Sequence, residues 1–402
     1  MKLSTTFLLS LIVVLCSCTK MPFADTYAPA ELKQRQNGLY VQDFASQQKK
    51  FNDVMAKIKA SPDVPSNYTA LAQVYMYEAR VTGEHPYYYP AALAALDEAI
   101  EIDKKNTEAL SLKTSVLLSL HRFAEAHTLA KQLTVDVAGS SAAYGMLCDA
   151  NVELGYYADA VKAADRMMAM RPGLEAYARV SYLREIHGDN DGAIDAMRMA
   201  VKAGLPGTED AAWTRTTFGN VLFHQGKIAE AEEQYQLARL ERTDYPFALA
   251  GLASVRQSQK RSDEAMQLLD AAIKMVPEVS FVEKKAEIEQ ERGNADGVTA
   301  LLAEIETMMN EDEQAGHINY SDRALLYSRF NYKPEVALEN ARKDIAIRPD
   351  NITSQYAMAY ALYRNGKSIE AKTYMDKALR MKTRNADMLA VASLINSKQK
   401  SL

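Results

Sequence analysis

From Asp43 onward the apolar residues of this chain recur with helical spacing, and no stretch alternates as a strand would. Leu252 and Val255 form one stripe; Leu268, Leu269, Ala272, Ile273 and Val276 form the next. The stripes repeat. Small residues stand at Ala92, Ala126, Ala160, Ala193, Ala231, Ala265, Val298, Ala337 and Ala371, with gaps of 34, 34, 33, 38, 34, 33, 39 and 34. Glycine stands five residues before several of them, at Gly155, Gly188, Gly226, Gly293 and Gly366. Twelve residues after come Pro172, Pro277 and Pro349, and twelve before come Cys148, Ser181, Gly219, Ala253, Ala286 and Ala359. Two helices that cross closely need side chains this small at the contact. Each unit therefore reads as helix, tight glycine turn, helix and proline-marked break, and the two long gaps hold the turn-rich insertions "AGLPGTEDAA" and "MNEDEQAGHIN".

Period, glycine turn and small-small-proline pattern together resemble the tetratricopeptide repeat (TPR). Tyr144-x2-Leu147-Cys148, Leu249-x2-Leu252-Ala253, Ala231-x3-Tyr235 and Ala265 followed by Pro277 stand in matching places. The resemblance covers nine units over residues 66–384 and implies an all-α, right-handed α-solenoid. Arg215 and Gln355 depart from it, where a large apolar residue is usual, and unit one carries the insertion "VTGEHPYYY" between its helices. A Sel1-type repeat is the alternative, with a longer and more glycine-rich unit. Residues 43–65, with Phe44, Phe51, Val54, Met55 and Ile58 on one face, read as an N-terminal cap. Residues 385–402, with Met388, Leu389, Val391, Ala392 and Ile395, read as a C-terminal one.

In TPR proteins the first helix of each unit lines the concave groove. The resemblance thus implies partner-binding positions at Arg179, Tyr182, Trp213, Thr217, Asn220, Phe223 and Phe247 of units four to six. Tyr356, Tyr360 and Arg364 of unit nine complete the set. Trp213 is the only tryptophan, a residue type enriched at binding hot spots.

The N-terminus has a different logic. Lys2 precedes an apolar run from Phe7 to Leu15, too short for the roughly 20 residues of a membrane-spanning helix and suited to a secretory signal. Leu15-Cys16-Ser17-Cys18 resembles the lipobox of bacterial lipoproteins. That resemblance implies a signal peptide at 1–17, acylation of Cys18 and a lipid-anchored tether at 18–42. No Asp follows Cys18, which in the same resemblance implies the outer membrane, facing the periplasm. With Cys18 acylated, Cys148 is the one cysteine left, and its place in the small-residue slot predicts a packed, inert thiol.

Composition and charge narrow the chemistry. The formal net charge is −5, and no basic run interleaved with aromatics occurs, so nucleic acid is not the expected partner. Ala361-x4-Gly366-Lys367-Ser368 nearly spells a phosphate-binding loop, but a helical stripe replaces the required strand, and Gly366 fills the slot of Gly226. It reads as a repeat turn, with no nucleotide. "GDNDGAID" at 188–195 lacks both outer carboxylates of a calcium loop and also reads as a turn. The histidines near repeat turns read as solvated, and no H-E-x-x-H, G-x-S-x-G or C-x2-C occurs. No cofactor, metal site or enzymatic activity is expected. Two function classes remain. One is a lipid-anchored periplasmic scaffold binding a peptide or protein partner in envelope assembly, secretion, or hydrolase or protease recruitment; the other is a surface lipoprotein capturing glycans.

Overall fold

A computed structural model describes residues 27–35 and 41–400. The expected signal peptide at 1–17 and acylation at Cys18 lie outside them. Among the described residues every regular element is helical. A lone helix, α1 (Val41–Ala60), precedes nine helix pairs. Units one to three are α2 (Pro65–Thr82) with α3 (His85–Ile102), α4 (Thr107–Ser119) with α5 (Phe123–Asp136), and α6 (Ser141–Leu154) with α7 (Tyr157–Met170). Units four to six are α8 (Leu174–Ile186) with α9 (Asn190–Ala203), α10 (Glu209–His224) with α11 (Ile228–Glu241), and α12 (Pro246–Ser258) with α13 (Ser262–Met275). Units seven to nine are α14 (Val279–Glu291) with α15 (Ala295–Gln314), α16 (Tyr320–Arg329) with α17 (Pro334–Ile347), and α18 (Ile352–Arg364) with α19 (Ser368–Ala378). α20 (Ala386–Lys400) closes the array, giving an all-α solenoid of TPR-like units.

The periodic residues build the contact inside each unit. All eight marker alanines have no solvent exposure, and Cys148, Ser181, Ala253, Ala286 and Ala359, each twelve residues before a marker position, have at most 1%. Gly219 is the tightest of these slots, because a Cβ there would run into the ring of Tyr235. Four of the nine inner helices start on side-chain caps: Asn106 accepts from Ala109 N, Ser140 from Ala143 N, Thr208 from Ala211 N, and Asn351 from Thr353 N and Ser354 N. Asp189 and Asn294 cap outer helices α9 and α15 in the same way, so the carboxylate of "GDNDGAID" serves a helix end.

The solenoid winds tightly enough to close on itself. The turn within unit one abuts Val276 and Pro277, in the linker before unit seven. The unit-two turn meets the linker before unit eight, where Ile318 N donates to Leu120 O at 3.0 Å. The unit-three turn meets the linker before unit nine: Asn351 Nδ2 donates to Val152 O and Glu153 O, and Ile352 N to the Tyr157 hydroxyl at 2.9 Å. Arg348, against Asp344 within α17, reaches Glu153 at 3.0 Å. The unit-four turn meets Lys382 and Arg384 before α20, and Thr383 Oγ1 donates to Glu185 O. Four successive turns thus dock against four successive linkers, forming a continuous seam.

Several expectations need correction. The tether reading fails for residues 27–35, which pack on unit one. Tyr75 donates to Ala30 O at 2.5 Å, Lys33 N donates to the Tyr88 hydroxyl at 3.0 Å, and Arg35 holds Glu78 at 2.6 Å with both side chains buried. The cause lies in unit one: its tyrosine hydroxyls and a fully buried carboxylate need partners that a helix face does not supply. "VTGEHPYYY" makes no extended loop but lengthens α2 and α3 to 18 residues each, and "MNEDEQAGHIN" likewise mostly extends α15 to 20 residues. His121 and His317 are not solvated turn residues but face each other across the seam, ring centroids 4.4 Å apart. In the C-terminal cap Met388, Val391, Ala392 and Ile395 are buried, whereas Leu389 is exposed.

Candidate functional site

The inner helices and the closed seam enclose a lumen. Two hollows of about 550 Å³ and 810 Å³ share walls at Arg179, Asp210, Trp213 and Thr217. The smaller runs along α6, α8 and α10, and the larger along α10, α12 and α14. At one end Arg80 of α2 reaches over to Glu209 and Asp210 of α10. At the other, Asp387 of α20 bonds Arg329, which also holds Glu283 at 2.7 Å and Glu287 at 2.5 Å.

Seven of the residues assigned to the groove meet here. Trp213 is 43% exposed and Tyr182 49% exposed, both on the lumen wall. Protein nonetheless surrounds Tyr182, and exclusion of bulk water raises its hydroxyl well above the usual tyrosine range. Arg179 is committed to a neighbour: Nε and Nη2 grip the two oxygens of Asp149 at 2.8 Å and 2.7 Å, and Nη1 donates to Glu175 O. Thr217 and Asn220 line the lumen, with Asn220 Oδ1 accepting from Tyr235 at 2.8 Å. Phe223 and Phe247 are half-buried, and Phe247 wedges between Tyr245 and Phe281 with centroids 5.5 Å from each.

The unit-nine positions are elsewhere and are not groove surface. Tyr356 and Tyr360 are 6% and 7% exposed and stack at 6.1 Å within the large C-terminal core. Arg364 is spent on Ser328 O at 2.6 Å, Arg329 O at 3.1 Å and the Tyr360 hydroxyl at 2.9 Å. Two neighbours account for this. The short α16 lets α18 pack directly onto it, and α20 covers that end of the array.

The acidic side of the lumen escaped sequence reasoning, because carboxylates on helices read as solvated faces. Glu185 and Glu278 line the hollows, and burial pushes each carboxyl up to about 7, with Asp312 adding to the shift at Glu278. Asp149 and Arg80 were likewise unassigned. Asp149 holds in unit three the repeat position that Tyr182 and Asn220 hold in units four and five, which could have flagged it; Arg80 has no such signal.

No family model matches this chain, and no curated protein matches its sequence. Solved structures resemble its fold. The human IFIT1 dimer with PPP-AAAA aligns at 13% identity over 86% of this chain and 80% of that one, with a TM-score of 0.52. The Cut9–Hcn1 hetero-tetramer of the APC/C aligns at 12% identity over 89% of this chain, TM-score 0.49; the chain spans 60% of the length of that structure's chain. The thermophilic TPR protein TTC0263 of Thermus thermophilus aligns at 20% identity over 48% of this chain and all of its own, TM-score 0.43.

Proposed function

We propose that this chain is a lipid-anchored scaffold of the bacterial cell envelope, which holds an extended segment of a partner protein in its lumen. The observation that carries the binding half is the exposure of Trp213 and Tyr182 to one enclosed groove between inner helices. Large amphipathic rings left uncovered in a solenoid's concave face are what a docked segment covers. The IFIT1 structure holds PPP-AAAA, a polyanion. Here Arg80 and Arg179 are tied to carboxylates and Lys284 lies 3.9 Å from Glu287, which favours a peptide over an anion. The anchoring half rests on the lipobox-like Leu15-Cys16-Ser17-Cys18, with the outer membrane, facing the periplasm, as the address that motif implies.

Crosslinking pull-down from intact cells tests the binding half, with wild type compared to Trp213→Ala. Capture should weaken by at least about 1 kcal/mol, the usual mark of an interface residue, at an unchanged melting temperature. Normal capture by a normally folded variant would refute the groove. For the anchor, Cys18→Ser should move the protein out of the membrane fraction and end fatty-acid labelling, whereas Cys16→Ser should do neither.

A further inference from the structure

The charges that line the lumen do not cancel. Three cations line it, Arg80, Arg179 and Lys284, against six acidic residues, Asp149, Glu175, Glu185, Glu209, Asp210 and Glu278; Arg179 is matched by Asp149, Arg80 by Glu209, and Lys284 lies beside Glu287. Glu175, Glu185 and Glu278 line the same two hollows, and among the described residues no cationic side chain pairs with any of them. The surplus is therefore negative even where Glu185 and Glu278 keep their protons, and it is confined with the exposed rings of Trp213 and Tyr182. Walls that exclude bulk water strengthen such a field and focus it on the opening. Burial raises the carboxyls of Glu185 and Glu278 to about 7, so near neutral pH each is only partly ionised, and a cation brought beside it draws the proton off and completes the charge.

Aromatic faces and unpaired carboxylates are the two groups that bind ammonium and guanidinium ions, the one through the ring quadrupole and the other by charge-assisted hydrogen bonds. We infer that the lumen selects a cationic segment: an extended stretch of a partner protein whose Lys or Arg side chains lie among Glu175, Glu185 and Glu278 and over Trp213 and Tyr182. This rests on the peptide reading above and adds the charge of the peptide to it. An anionic segment would meet the same carboxylates as like charges, which cost several kcal/mol across an interface.

An array of short random peptides, graded from acidic to basic and probed with the full chain, tests it. Retained peptides should be enriched in Lys and Arg, and should quench or shift the fluorescence of Trp213. Binding of a retained peptide should fall with rising salt and weaken about tenfold or more, about 1.4 kcal/mol, when Glu175, Glu185 and Glu278 are all replaced by Gln. Salt dependence in the wild type keeps the test decisive if that variant does not fold. Retention of acidic peptides, retention without charge bias, or equal binding by a folded triple variant would overturn the charge assignment and leave the peptide groove standing. An array on which no peptide perturbs Trp213 would overturn both.

Discussion

The imidazoles of His121 and His317 meet edge to face across the seam, 4.4 Å between centroids, and His121 Nδ1 lies 3.1 Å from Ile318 O. Burial pushes both rings down to about 4, helped at His121 by Arg348 and at His317 by His121 itself. The other charged groups facing the pair are Asp322, whose Oδ2 is 3.6 Å from His121 Nδ1, Asp344 beside His121 and His85 beside His317.

A pH dependence follows from that pair. Above the ordinary histidine value near 6.5 both rings are neutral, folded or unfolded, and no proton linkage acts. As pH falls from 6.5 towards 4 the unfolded chain takes up protons that the folded seam refuses, so stability is lost over that window. Buried carboxyls such as Glu153, held up to about 7 by burial, act in the opposite sense. Melting temperatures of wild type and of His121→Gln/His317→Gln, recorded at the same pH values, cancel that contribution. The variant should gain on wild type by a few degrees as pH falls through the window. A difference that stays flat with pH would exclude the pair as the source.

The seam also gives two similar glycine turns different sensitivities. Gly155 and Gly226 occupy the same slot with φ of 84° and 76°, so alanine at either should cost roughly 1–2 kcal/mol for the left-handed backbone alone. A Cβ at Gly226 meets nothing, whereas at Gly155 it would fall within the backbone of Asp350 and Asn351. Gly155→Ala should therefore cost at least about 1 kcal/mol more than Gly226→Ala in urea unfolding, in the range typical of overpacking. It should also raise the radius of gyration as the seam opens. Equal costs would mean that the turns do not touch in solution.

That contrast marks how far the sequence could be read. The alanine slots, glycine turns and caps are local, each set by neighbours within one unit, and the nine pairs follow from them. The seam depends on the pitch of the superhelix, which accumulates small angles over several units and leaves no mark at Gly155 that Gly226 lacks. The same limit explains the groove. Trp213 and Tyr182 sit on the inner face where their position within the unit placed them, while Tyr356 and Tyr360, at similar positions, are covered by elements whose reach no periodicity encodes. Glu185 and Glu278 carry no motif at all; their environment is made by the closing of the ring.

Cys148 is local enough to have been legible. It is 1% exposed, and burial, reinforced by Asp149, pushes its thiol up to about 12, so almost no thiolate exists at neutral pH. Maleimide should leave it unmodified in the folded protein and label it once urea unfolds the chain, as read by intact mass. Rapid labelling under native conditions would place Cys148 on the surface and break the register of unit three.

The last prediction concerns the segment that was read as a tether. Arg35 and Glu78 pair at 2.6 Å with side-chain exposures of 2% and 0%, and Arg35 Nη1 also bonds Asp43 at 3.0 Å. Removing one partner of such a pair leaves a buried charge uncompensated, which costs about 3–5 kcal/mol, whereas replacing both by apolar residues is close to neutral. Arg35→Met should therefore lower the stability of the first unit by that amount. The double variant Arg35→Met/Glu78→Leu should recover most of the loss, because the buried carboxylate that demanded the arginine is gone. Hydrogen exchange on α2 and α3 reads the effect where it arises, since these helices carry Tyr75, Glu78 and Tyr88, the partners of residues 30–35. If Arg35→Met leaves exchange on those helices unchanged, residues 27–35 contribute nothing to unit one and act as a tether in solution.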